Sequence, residues 1–119
     1  MAALVVWAVS AAAVAWMSLL PNVDMPGDFP GVDKVYHLVG YAWLAFWPCF
    51  GFARKRIGLA VSLSMILFGC GLEYAQGHVP GRMASVWDMV ANTAGVLLGI
   101  LAGRVVRRRF SPFFRRVVF

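Results

Sequence analysis

Glu73 lies inside a stretch that is otherwise apolar, Ile57 to about Gln76. A carboxylate in such a helix costs a few kcal/mol on insertion scales and usually faces a partner or a cavity. Other groups with chemical capacity fall nearby at regular spacings. Asp33, His37 and Tyr41 step by four, Glu73 and Gln76 by three, and Asp88 and Asn92 by four, so each set shares one helix face. Lys34, Arg82 and Ser85 complete the group. These residue types suit acid–base chemistry, anion binding or proton coupling. His37, Glu73 and Asp88 are the catalytic candidates, and Arg82 is the expected counter-charge for Glu73, with His37 as the alternative. The pattern follows no metalloprotease or serine-hydrolase motif. Neither a metal nor a cofactor is expected.

Plainer roles exist for several of them. Asp33 can cap the helix that it opens, and Ser85 with Asp88 fits an S-x-x-D capping box that also suits the helix dipole. Asn92 begins a series with Gly95, Gly99 and Gly103, small residues that let helices approach closely, within one chain or between copies in a homo-oligomer. His78 has no partner at a telling spacing and receives no role.

The elements that must position these groups are membrane helices. The chain has 119 residues, of which 61% are hydrophobic and 13% charged. That is roughly half the charge of a soluble domain. Mean hydropathy is +0.76. The expected architecture is a single domain over residues 1–119, an all-α transmembrane bundle with helices at about 2–20, 34–53, 57–76 and 86–103 and a basic tail at 104–119. Ala2 to Leu20 holds no charge and is about 28 Å long as a helix, enough to span. No Lys or Arg precedes it, so a retained helix is preferred over a cleaved signal. Pro21 to Gly31 and Gly77 to Ser85 are turn-forming loops rich in Pro and Gly. Pro48 should kink or end the second helix.

Charge gives this bundle a direction. The net charge is +6, carried mostly by Arg54-Lys55-Arg56 and by six arginines from Arg104 onward. Basic clusters beside apolar runs mark the cytoplasmic side, and this placement argues against a nucleic-acid partner. Both termini are therefore expected in the cytoplasm, with the first and third loops outside. The tail reads as a topology signal first and as an anionic-lipid attachment second. Trp43, Trp47, Trp87 and Tyr74 suit the interfaces. Cys49 and Cys70 sit at depths about 10–15 Å apart along their helices, too far for a disulfide. Nearly all the remaining ionisable groups then collect at the outer end.

Asp33-Lys34-x-x-His37 with Tyr41, Glu73-x-x-Gln76, and Pro80-x-Arg82-x-x-Ser85-x-x-Asp88-x-x-x-Asn92-x-x-Gly95-x-x-x-Gly99 together cover most of residues 33–99. This pattern resembles the VanZ-like family of small bacterial membrane proteins. One departure is Gly77-His78-Val79, where the family often carries an aromatic residue. The matching positions are Asp33, Lys34, His37, Glu73, Gln76, Arg82, Ser85, Asp88 and Asn92. The resemblance implies a multi-pass protein of the bacterial inner membrane. It links the family's name member to low-level teicoplanin resistance, and it assigns none of these residues a catalytic role.

The first expectation for function is binding of an envelope lipid or lipid-linked ligand at this outer polar set. Arg82 and Lys34 would hold an anionic head group, with Glu73, Asp88 and Asn92 positioning them. An enzyme modifying an envelope lipid or glycan is the second, with His37 or Glu73 as base and Arg82 stabilising negative charge. A small proton-coupled transporter is the third. It is disfavoured because the polar groups gather at one end and do not line a path.

Overall fold

The structure is a computed structural model that describes residues 1–21 and 30–110. Most of the first loop and the last nine residues of the tail lie outside the described residues. Four helices follow in order: α1 (Ala2–Leu19), α2 (Val32–Gly51), α3 (Lys55–Gln76) and α4 (Val86–Arg109). The paired residues fix the topology. Trp43 of α2 reaches back to Ser10 of α1, and Ser62 of α3 to Ala45 of α2. On α4, Gly95, Gly99 and Gly103 meet Leu38, Ala42 and Phe46 of α2 in ascending order. Neighbours in sequence therefore run antiparallel, while α2 and α4 run parallel.

Three of these helices, α1, α3 and α4, are long and apolar enough to cross a membrane, and α2 is not among them. Of the four expected spans, three thus have the length and apolarity that a crossing needs. Asp33, Lys34 and His37 occupy the first turns of α2 and lower its hydropathy. Its packing explains how it tolerates them. α2 is the central helix, in contact with α1, α3 and α4, and it buries Tyr41, Leu44, Ala45, Cys49 and Phe50. A helix covered by its neighbours needs less lipid-compatible surface than one on the periphery. α1 is the opposite case, burying only Ala3.

Close backbone approach holds α2 to α4. A Cβ on Gly95 would run into the Leu38 carbonyl, and one on Gly99 into the Ala42 carbonyl. The glycine series thus packs against α2 within the chain. Leu44, Ala45, Met65, Val96 and Ile100 fill the adjoining core. Pro48 does not end α2. The helix continues to Gly51, and the Phe52 amide closes it on the Pro48 carbonyl at 3.2 Å.

α4 also outruns its expected end at residue 103, since Arg104 to Arg109 continue the helix. No Gly or Pro follows Gly103 until Pro112, so nothing in the run breaks the helix. The extension gives one basic residue a structural task. Arg107 donates from Nη1 to the Cys49 carbonyl at 3.2 Å and the Phe52 carbonyl at 2.7 Å, and from Nη2 to the Ala53 carbonyl at 2.8 Å. It satisfies carbonyls that the end of α2 leaves without helical partners.

Candidate functional site

The other end of the bundle gathers the polar residues. α2 starts at Gly31, whose φ of +83° is the left-handed conformation that glycine adopts without strain. No side chain caps α2 or α4, so the expected caps at Asp33 and Ser85 are corrected. Both residues have other partners. Asp33 is exposed and takes Lys34 Nζ at 2.6 Å. Ser85 donates its backbone amide to Glu73 Oε1 at 2.8 Å. That bond joins the end of α3 to the start of α4 across the third loop.

Lys34 also reaches Asp88 Oδ1 at 2.5 Å, so one ammonium bridges an exposed and a buried carboxylate. His37 lies between α2 and α4. Its Nδ1 is 2.8 Å from Asn92 Oδ1, and its Nε2 is 3.5 Å from Asp88 Oδ2. His37, Glu73 and Asp88 each present one ligand-type atom, all within 4.8 Å of one another. Glu73 and Asn92 are each 2% exposed, and Asp88 is 6% exposed. Two buried carboxylates this close strongly favour a counter-charge, because desolvation magnifies their repulsion. Lys34 supplies one to Asp88, and the α4 amino terminus favours negative charge on the same residue.

Arg82 behaves differently from its expected role. It makes no ion pair with Glu73 among the described residues, and its Nη1 donates to the Leu20 carbonyl at 3.1 Å. Gln76 Nε2 makes the parallel contact to the Ser18 carbonyl at 3.2 Å. The two side chains thereby tie the carboxyl-terminal end of α1 to α3 and its following loop. The Arg82 turn depends on Gly81, at φ +79°. His78 stays at the exposed edge, with its Nδ1 3.1 Å from the Tyr74 carbonyl.

A cavity of about 610 Å³ opens beside this cluster, between α1, α2 and the third loop. Asp33, His37, Gln76, Arg82 and Asp88 give it a polar end, and Val14, Met17, Val39 and Tyr41 give it an apolar wall. Gly40 also lines it, and a Cβ there would meet nothing within 4 Å. The structure thus brings together His37, Glu73, Asp88 and Asn92, with Lys34 and Ser85 in contact and Gln76 and Arg82 at the α1 side. Asp33 stands at the rim. Sequence reasoning missed the α1 wall, since a uniformly apolar helix does not show which face is covered. It placed Tyr41 in a spacing and in the family pattern without a site role, yet that residue is 4% exposed at the junction of core and cavity.

This arrangement can bind a group with one charged end and an apolar body, or position acid and base side chains at a membrane-facing pocket. No curated protein and no solved structure matches the chain. The family model described as VanZ/LLP1 matches residues 3–107, reaching beyond the motif into α1 and the arginine-bearing end of α4. A match that takes in all four helices and every member of the cluster makes the chain a member of the VanZ/LLP1 family.

Proposed function

We propose that the protein crosses the bacterial cytoplasmic membrane four times and binds an envelope lipid or lipid-linked ligand in this cavity at the outer face. The observation that carries the reading is the lining, in which cationic and carboxylate groups stand at one end and an apolar wall at the other. Such a division suits an amphipathic molecule. The basic cluster at 54–56 and the arginines at 104–109 lie at the opposite end from the cavity. The positive-inside rule then places the termini in the cytoplasm and the cavity outside. α2 spans as the covered member of the bundle. On this reading any effect on teicoplanin susceptibility follows from ligand binding and is lost with it.

Arg82 is the first residue to test, because its guanidinium has donors beyond the one held by Leu20. The chain is purified in mild detergent, and the retained lipid is read by native mass spectrometry. Arg82→Ala should reduce retention of anionic lipid at least tenfold while the protein stays monodisperse. Loss of its hydrogen bond to Leu20 should cost no more than about 1.5–3 kcal/mol of stability. Unchanged retention contradicts the proposal.

The cluster of His37, Glu73 and Asp88 supports a second reading, that of a membrane enzyme on the same ligand. The same spectra separate the two, since an enzyme leaves chemically altered lipid and a binding protein returns it intact. The transporter reading gains nothing. Directly beneath the cluster the core is sealed by Leu44, Ala45 and Val96, all at 0% exposure.

A further inference from the structure

The polar cluster contains a geometry that lipid binding alone does not explain. One ring nitrogen of His37 and one oxygen each of Glu73 and Asp88 lie within 4.8 Å of one another, and His37 Nε2 stands 3.5 Å from Asp88 Oδ2. Each of these groups also has a partner of its own. Glu73 Oε1 holds the Ser85 amide, Asp88 Oδ1 holds Lys34, and His37 Nδ1 is paired with Asn92 Oδ1. On the other side of the ring, Nε2 faces Asp88 Oδ2 at 3.5 Å. Two buried carboxylates beside an imidazole nitrogen repel one another unless a proton or a cation sits among them. Lys34 divides its charge between Asp88 and the exposed Asp33.

Asn92 supplies a second sign. Its Nδ2 is buried and has no hydrogen-bond partner among the described residues, in a residue that is 2% exposed. Unpaired amides at such burial are uncommon and point to an unseen acceptor. We propose that His37 Nε2, Glu73 and Asp88 bind one divalent cation on the wall of the cavity. A ligand oxygen on that cation would accept from Asn92. The proposal rests on the reading of the cavity as a ligand site and adds what holds the ligand's anionic end.

The donor set narrows the ion. One imidazole nitrogen with two carboxylate oxygens suits Zn²⁺ or Mn²⁺. Ligand atoms around such ions stand somewhat closer together than 4.8 Å, so a small side-chain contraction completes the site. The His37–Asn92 contact is the outer hydrogen bond that metal-bound histidines use to fix ring and tautomer. His37 and Asp88 line the cavity, so the open coordination positions face it. A phosphate or carboxylate on the ligand can occupy them.

The test uses the full chain, untagged, in detergent and stripped with EDTA. Titration with Mn²⁺ or Zn²⁺ should load about one ion per chain. His37→Ala and Glu73→Gln should weaken binding at least tenfold, and Asn92→Ala about 10–100-fold as an outer-shell change. His78→Ala should bind as the parent does. Glu73→Gln keeps an oxygen for the Ser85 amide, which favours retention of the fold. Should a variant unfold, the parent chain still decides, because the ion should protect His37 and not His78 from diethyl pyrocarbonate. Failure of the parent to bind either ion overturns the proposal, as does binding that survives both first-named substitutions or leaves His37 unprotected. The Arg82→Ala lipid assay is read without added metal, so either idea can fail alone.

Discussion

Gly99→Val is expected to separate α2 from α4 and cost the protein its fold. A Cβ at position 99 meets the carbonyl oxygen, carbonyl carbon and Cα of Ala42, all backbone. A flexible side chain could swing aside, but here one helix must move away from the other. α2 is the hub of the bundle, so that movement also disturbs its contacts with α1 and α3. Overpacking usually costs about 1–3 kcal/mol, and a rigid backbone neighbour puts this case at about 3 kcal/mol or above. Within a membrane the loss has little compensation, because close packing itself supplies much of the helix–helix attraction. Purified Gly99→Val should melt far below the parent or fail to stay monodisperse. Gly71→Val is the control, since a Cβ on Gly71 meets nothing within 4 Å. A Gly99→Val protein melting within a few degrees of the parent would show that α2 and α4 are not in contact as described.

A glycine on α2 should give the opposite result. Gly40 has open space around its missing Cβ and lines the cavity. Gly40→Phe adds a Cβ that meets nothing within 4 Å and a ring beside the cavity, and it removes a glycine from a helix interior, worth roughly 0.5 kcal/mol in propensity. The melting temperature should hold or rise slightly. Retained lipid, read by native mass spectrometry, should fall at least tenfold because the apolar wall is filled. Together the two substitutions separate the glycines that hold the bundle from the one that leaves it room. If Gly40→Phe keeps its lipid, the ligand does not occupy this cavity.

Much of the architecture was readable from sequence, because an uncharged apolar run as long as Ala2 to Leu20 matches the thickness of a bilayer core. The polar set was readable too, since Asp33, His37, Glu73 and Asp88 stand out against apolar surroundings. The pairings were less legible. Arg82 and Lys34 are both cations near carboxylates, and linear spacing cannot tell which one reaches which. The chain geometry gave Asp88 to Lys34 and left Arg82 to the end of α1. The caps were misread for a related reason. Ser85 has the right type and place, but its backbone amide serves Glu73 and its hydroxyl does not close the helix. The covered position of α2 was hidden because apolar residues on a membrane helix face lipid as readily as protein. Arg107 was hidden because an arginine among arginines looks like topology, not a cap.

Lipid occupancy of the cavity is tested most directly by photo-cross-linking the parent chain with an anionic phospholipid that bears a diazirine in its acyl chain. Saturable adducts are expected on Val14, Met17 and Val39, the apolar wall of the cavity, with their loss when unlabelled lipid of the same head group is added. Adducts confined to exposed α4 residues such as Leu97, Leu98 and Leu101, rising in proportion to lipid without saturating, would contradict binding in the cavity.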